Sequence, residues 1–329
     1  METKKGEVIM DEKTREEHIK NRLKAHYKYI ESLGYEIVGI FLQGSQNYNL
    51  DIYEKDYTSD IDTKCIVLPT LDSLIKGNQM TSTKYDFEGE QIDAKDIRVM
   101  MEMWKKQNQS YLEILFTEYK IINPKYKSLL KEIFDMKEDI VKMNLPQLAR
   151  CISGMSKEKV AALEHEYPTT VEKIKKFGYD PKQLASIVRL THLIENIFDK
   201  NMNFKDAILY TDDDLRNYML NIKKGKIELE EARELAAMYD AKTNMIKERV
   251  VEEQGKDNFN SEVCSILEDR VYRLVKFGIM SSVVEEQQKL FTTLCSNMTY
   301  TDKEFNKAVK NAIEKMRVEE KENFLDYYN

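Results

Sequence analysis

A change in hydrophobic period near Asp96 limits the folds that this sequence can adopt. Before it, residues 37–42 form a continuous apolar run, and residues 61–68 mix polar with apolar side chains, as in a buried and a half-covered strand. Residues 84–94, interrupted by Glu88-Gly89, predict a hairpin or two short strands of the same sheet. After Asp96, apolar residues recur mostly at helical spacing. The pattern predicts an α+β fold: a small α/β head, with a mixed sheet flanked by helices, and a mostly helical body.

The head and the body are predicted to meet near residue 135. Residues 1–135 would form the head, which begins with a helix over residues 11–33 that Gly34 ends. Residues 136–329 would form the body, and its last 75 or so residues match no pattern with a known function. With 329 residues the chain is long enough for two cores, and its 11 Gly and 5 Pro argue against long linkers.

Composition and charge exclude several classes of protein. No apolar run approaches the roughly 20 residues of a membrane span, and the charged first residues lack the apolar core of a secretory signal. We therefore expect a cytoplasmic protein with no membrane partner. The four widely spaced cysteines contain no CxxC pair and are expected to be buried thiols. The formal net charge of −7 argues against a duplex-DNA binder, and the lysine clusters at 173–176 and 223–226 predict solvated faces or a local basic patch.

Polar residues at the ends of two predicted strands mark a candidate site. Gly44-Ser45 follows the first strand, and Asp60 and Asp62 stand at the entry of the second. Side chains two apart on a strand point to the same face, so both carboxylates aim together. Two close like charges destabilise each other unless a cation lies between them. The sequence therefore predicts a site for a metal and a phosphate, and ordinary turn chemistry at Asp-x-Asp is the alternative.

These residues resemble a known signature. Phe41-Leu42-Gln43-Gly44-Ser45 followed by Ser59-Asp60-Ile61-Asp62 is similar to the Gly-Ser and Asp-x-Asp signature of the DNA polymerase beta-like nucleotidyltransferase superfamily. Residues 96–116, 154–157 and 179–190 resemble three boxes of one branch, the predicted bacterial and phage nucleotidyltransferases with a helical C-terminal half. The resemblance covers about residues 36–250. The 14 residues between Ser45 and Asp60 form a longer segment than that branch usually has.

The resemblance implies a catalytic domain over residues 1–135 that depends on Mg²⁺ or Mn²⁺. Asp60 and Asp62 would bind the metal that accompanies the triphosphate, and a third carboxylate would bind a second metal and activate the acceptor hydroxyl. An ungapped alignment places that third position at Gln91. Asp93 faces the same side of the strand two residues later, and we choose it as the third catalytic and metal-binding carboxylate.

The resemblance also implies a nucleotide site. Gly44 would let the backbone approach the phosphates, and Ser45 would donate its hydroxyl. Lys182 and Arg189 lie seven residues apart on one face of a predicted helix, from which they would reach a phosphate or else form ordinary surface charge. The substrate would be an NTP, with ATP the expected nucleotide.

The acceptor is left open by the sequence. An RNA 3′ end, a protein hydroxyl and a small molecule are all used across the superfamily. The alternatives to an enzyme are a non-catalytic module that senses nucleotide, and one component of a toxin–antitoxin or phage-defence pair. We further predict that residues 48–58 form a mobile loop that helps to choose the acceptor.

Overall fold

The structure is a computed structural model that describes residues 11–54, 57–256 and 258–297, together with 307, 310, 311 and 313–315. In chain order its strands are β1 Glu36–Gln43, β2 Tyr53–Glu54, β3 Tyr57–Thr58, β4 Asp62–Leu68, β5 Ser82–Phe87, β6 Glu90–Asp96 and β7 Lys120–Ile122. Its helices are α1 Glu12–Ser32, α2 Leu71–Ile75, α3 Ile97–Lys105, α4 Gln109–Leu112, α5 Lys127–Asp135, α6 Lys137–Lys142, α7 Leu145–Ala162, α8 Val171–Phe177, α9 Pro181–Phe198, α10 Phe204–Ile208, α11 Asp213–Lys223, α12 Leu229–Gln254 and α13 Ser261–Asn297. Single 3₁₀ turns cover Ser45–Tyr48, Glu113–Leu115 and Pro124–Tyr126.

Five strands form a mixed sheet in the spatial order β5-β6-β4-β1-β7. Strands β4 and β6 are parallel, whereas the other neighbours are antiparallel. The predicted hairpin is confirmed: Glu88 and Gly89 join β5 to β6 with φ values of 56° and 84°, as a type I′ turn requires. This sheet and the largely helical remainder confirm the predicted fold class.

The two faces of the sheet have opposite characters. One face packs against α1, whose apolar residues Ile19 and Leu23 contact a core that includes Ile40, Cys65 and Ala94. Because side chains alternate along a strand, the intervening polar residues of β4 and β6 point to the other face. The predicted first helix is confirmed, since Asp11 caps α1 and Gly34 follows its end with a φ of 84°.

The body is built around α7, α9 and α12, which pack against one another. Hydrogen bonds satisfy the buried hydroxyl groups between them: Thr191 Oγ1 lies 2.7 Å from Thr243 Oγ1, and Ser156 Oγ donates to Asp240 Oδ1 over 2.7 Å. Helix α9 begins where Asp180 accepts a hydrogen bond from the Lys182 amide. It therefore presents Lys182 in its first turn.

The chain divides into two compact units, Met1–Val275 and Lys276–Asn329. The first contains the whole sheet and the helices up to α12, and the second contains the last turns of α13. The division of the chain into a head and a body at residue 135 stays a prediction. Among the described residues, no helix combines the length and the apolar character that crossing a membrane requires.

Candidate active site

The chain turns sharply where β1 ends. Gly44 has φ 95° and ψ −152°, a conformation that residues with a side chain rarely adopt. A Cβ there would meet no atom within 4 Å, so it is the backbone angle and not crowding that requires glycine. Ser45–Tyr48 then form one 3₁₀ turn. The side-chain amide of Gln46 donates to the backbone carbonyl of Asp60 over 2.9 Å and ties this turn to the segment that enters β4.

Asp60 and Asp62 lie on one wall of a cleft of about 390 Å³, together with Gly44 and Ser45. The backbone N–H of Gln91 donates to Asp62 Oδ1 over 2.9 Å. Burial raises the pKa of the Asp62 carboxyl, this amide opposes the rise, and the charge of Asp60 adds to it. The structure thus brings together the predicted Gly-Ser turn and carboxylate pair, in an arrangement that favours a cation beside Asp62.

Cations from α9 and α11 line the same cleft. Lys182 Nζ lies 3.1 Å from Asp60 Oδ2. Lys223 Nζ donates to the Leu50 carbonyl over 2.9 Å, and burial lowers the pKa of Lys223 to about 8. Lys223 belongs to a cluster that was predicted to be a solvated face or a basic patch. The helix turns it inward, toward the carboxylates.

Arg189 lies against the ring of Tyr48, with 4.4 Å between its guanidinium carbon and the ring centroid. Its Nη1 is buried and has no hydrogen-bond partner among the described residues. The Tyr48 hydroxyl donates to the fully buried carboxyl of Glu113. Burial raises the pKa of Glu113 to about 8, although the positive charge of Arg189 opposes the rise. The network leaves the buried Nη1 of Arg189 without an acceptor among the described residues.

Asp93 lies on the same sheet face as Asp62 and has its own partners. The Tyr111 hydroxyl donates to Asp93 Oδ2 over 2.8 Å, and Lys95 Nζ lies 3.1 Å from Asp93 Oδ1. Lys64 Nζ is 3.8 Å from Asp93 Oδ2. Gln91, the position given by the ungapped alignment, is the strand neighbour of Asp62. A metal at Asp93 would have to compete with a hydroxyl donor and two ammonium groups.

The donor set decides which metal site fits. Carboxylate oxygens suit Mg²⁺, which also keeps water and substrate phosphate as ligands. Asp60 and Asp62 supply such oxygens beside open space. Within the described part of the chain, no group of three or more His, Cys, Asp or Glu side chains could hold a metal ion. The residues therefore fit one ion held by a carboxylate pair, while the assignment of Asp93 to a second ion stays a prediction.

The described part of the segment after the 3₁₀ turn packs against the rest of the protein, and the mobility of residues 48–58 stays a prediction. Leu50 and Ile52 are buried, and Arg15 forms an ion pair with the buried Asp51. Strands β2 and β3 follow, and residues 55 and 56 lie outside the described residues. The alternating apolar side chains of Leu50 and Ile52 anchor the described part of this segment.

Comparisons with known proteins add little to this picture. No family model matches the chain, and no curated protein is similar to it. Among solved structures, the crystal structure of a nucleotidyltransferase-like protein from Exiguobacterium sibiricum 255-15 is similar, with a TM-score of 0.25 and 12% sequence identity. The match covers 71% of this chain and 77% of that one. A similarity this low leaves function to be judged from the residues of the cleft.

Proposed function

We propose that this protein is a nucleotidyltransferase that transfers an NMP from an NTP, with ATP the expected nucleotide, to a hydroxyl acceptor. The observation that carries the proposal is the presence of both signs of charge in the first cleft. The strand end contributes two carboxylates and a Gly-Ser turn, and helices α9 and α11 contribute Lys182, Arg189 and Lys223. A triphosphate with its metal needs both kinds of group, because the metal binds carboxylates and the phosphates bind cations.

Asp60 and Asp62 would hold Mg²⁺ or Mn²⁺ in this proposal. When bound, the metal would neutralise charge on the phosphates and on the departing pyrophosphate. Burial of Asp62 supports this role, since a carboxylate whose ionised form is disfavoured gains from a neighbouring cation. Lys182 shares Asp60 with the metal site and would exchange its ion pair for a phosphate oxygen.

The cations of α9 and α11 would position the triphosphate. The buried Arg189 Nη1 needs a hydrogen-bond acceptor, and a phosphate oxygen supplies one. Lys223, whose ammonium group donates to the Leu50 carbonyl and the Ser59 hydroxyl, supplies a second positive charge to the cleft. Gly44 leaves its backbone open to the cleft, so that a phosphate can approach it without a side-chain clash. Ser45 is proposed to donate its hydroxyl to the same group.

The reaction would be an in-line displacement at the α-phosphorus. The acceptor oxygen forms a bond to phosphorus, the bond to the bridging oxygen of pyrophosphate breaks, and the hydroxyl proton is released. Asp93 is proposed to stand on the acceptor side, where it orders Lys64, Lys95 and Tyr111. These donors already occupy the carboxylate, so a second metal there would have to displace them.

The test is transfer of label from each NTP in turn. The protein is incubated with α-³²P-labelled NTP and Mg²⁺ or Mn²⁺, together with total RNA, protein lysate or a small-molecule extract. The matched control is the Asp60→Ala/Asp62→Ala variant. Label that is transferred only by the unsubstituted protein supports the proposal. Failure of all four nucleotides to transfer label or to bind by calorimetry would overturn it in favour of a non-catalytic interaction module.

A further inference from the structure

A second cavity, of about 590 Å³, lies on the same face of the sheet as the first. Asp62, Ser110 and Lys159 line both cavities, so the two spaces share a wall. Asp93 and Tyr111 line only the second. A group bound in the second cavity would therefore lie beside the carboxylate pair, on the side away from Lys182 and Lys223.

Two lysines that line the second cavity make no ion pair with the described residues. Lys84, on β5, and Lys159, on α7, line it from the head and from the body. Neither side chain makes an ion pair or a hydrogen bond with the described residues, although most lysines near this cleft do. Two ammonium groups that converge on one space without a partner favour an anion between them.

Inside the cavity, one carboxylate is shared by two lysines. Lys64 is 3% exposed and lies 4.2 Å from the ring centroid of Tyr111. Its ammonium group lies 3.8 Å from Asp93 Oδ2. Asp93 in turn is neutralised by Lys95. Among the described lining residues, the other acidic groups are Glu158 and the shared Asp62, beside the two lysines Lys84 and Lys159.

We propose that the second cavity binds the acceptor and that the acceptor is a small hydroxyl compound bearing a phosphate group. This inference rests on the proposed function above. The phosphate binds between Lys84 and Lys159, and a hydroxyl of the same molecule faces Asp62. The new bond joins that hydroxyl oxygen to the α-phosphorus, pyrophosphate leaves, and the hydroxyl proton passes to solvent. The product is a phosphodiester, and no oxidant or further reactant is needed.

Size and charge favour a small molecule over a nucleic acid. Small-molecule sites typically enclose about 300–1,000 Å³, which includes the volume of this cavity. A nucleic-acid strand is held by a basic groove along its backbone, whereas the whole chain has a net charge of −7. Among the described residues that line the cavity, the lysines without an ion pair are Lys84 and Lys159, enough for a single phosphate.

The test measures the reactivity of individual lysines toward an amine-acetylating reagent by mass spectrometry. The full-length protein is acetylated in the presence of sn-glycerol 3-phosphate, in the presence of glycerol, or with neither compound. The proposal predicts that glycerol 3-phosphate slows acetylation of Lys84 and Lys159, that glycerol does not, and that Lys24, exposed on α1, is unaffected. A parallel sample with ATP and Mg²⁺ reports on Lys182, and hence on the nucleotide site independently.

A variant makes the result specific. In Lys84→Gln, glycerol 3-phosphate should protect Lys159 about tenfold less well, since one charge-assisted contact contributes on that order. Lys24→Gln should leave the protection unchanged. Equal labelling of Lys84 with and without glycerol 3-phosphate overturns the inference, whether or not ATP protects Lys182. Protection by a short RNA oligonucleotide and not by glycerol 3-phosphate also overturns it, and assigns the cavity to nucleic acid.

Discussion

The ammonium group of Lys182 lies 3.1 Å from the carboxylate of Asp60, which is 122 residues earlier in the chain. This ion pair links the first turn of α9 to the segment that enters β4. Its two side chains are 43% and 49% exposed, so water screens the attraction and the pair contributes little to stability. Its importance lies in position, because it holds a cation beside the carboxylates that would bind the metal.

The first prediction follows from that exposure. Lys182→Gln should raise the KM for ATP about tenfold, as expected for the loss of one charge-assisted phosphate contact. The thermal midpoint without ligand should hardly change. Lys175→Gln, an exposed lysine of α8, is the matched control and should alter neither quantity. An unchanged KM together with a lowered midpoint would show that Lys182 acts only in folding.

Substitution of Asp62 should abolish activity without lowering stability. Burial raises the pKa of Asp62, so the folded state disfavours its charge, and metal-free protein should lose no stability at pH 7 in Asp62→Asn. Transfer should fall by about a thousandfold, because the metal's stabilisation of the transition state is lost.

The measurements for Asp62 are label transfer and thermal unfolding with and without Mg²⁺. Mg²⁺ with ATP should raise the unfolding midpoint of the unsubstituted protein and not that of the variant. Asp72→Asn, at an exposed position on α2, is the control. Retention of the full transfer rate by Asp62→Asn would refute the assignment of the carboxylate pair.

The sequence predicted the parts of the site that depend on local signals. Gly44-Ser45 and Asp60 with Asp62 stand out because strand ends, a positive φ and period-two alternation are set by neighbouring residues. Tyr48 and Lys223 were not assigned as site residues. Their positions depend on how α9 and α11 pack against the segment after β1, and no local pattern carries that information.

The partners of Asp93 show the same limit. Lys64 stands opposite Asp93 in the parallel pair of β4 and β6, and Lys95 lies two residues farther along β6 on the same face. Once the register is known, the ion pairs follow from alternation. The sequence alone does not fix which strand neighbours β6, so Asp93 was read as a metal ligand without its competing lysines.

Asp93 supplies a prediction that separates these two roles. Asp93→Asn should lower the free energy of unfolding by about 3 kcal/mol, because it leaves Lys64 and Lys95 buried without a counter-charge. Adding Lys95→Gln should restore part of that loss. Asp86→Asn, on an exposed residue of β5, is the control and should change stability by less than about 0.5 kcal/mol.

Chemical denaturation measures the free energy of unfolding, and calorimetry with Mn²⁺ measures metal binding. If Asp93→Asn keeps its stability while losing a bound Mn²⁺, Asp93 is a metal ligand and the ion-pair role is wrong.

Glu113 makes stability depend on pH. Burial raises the pKa of Glu113 from 4.5 to about 8 in the folded protein, against the charge of Arg189. Between these values the folded state holds a proton that the unfolded chain releases. The contribution of Glu113 to the free energy of unfolding is therefore greatest below pH 4.5, falls as the pH rises toward 8 and is constant above it.

Glu113→Gln should remove that slope and leave the acceptor for the Tyr48 hydroxyl in place. At pH 9 the variant should be more stable than the unsubstituted protein by about 2–4 kcal/mol, because it no longer buries a charge. Urea denaturation at one-unit steps from pH 5 to 9 measures the difference, with Glu166→Gln as the exposed control. Parallel pH profiles for Glu113→Gln and the unsubstituted protein would mean that Glu113 stays ionised when folded, held by Arg189.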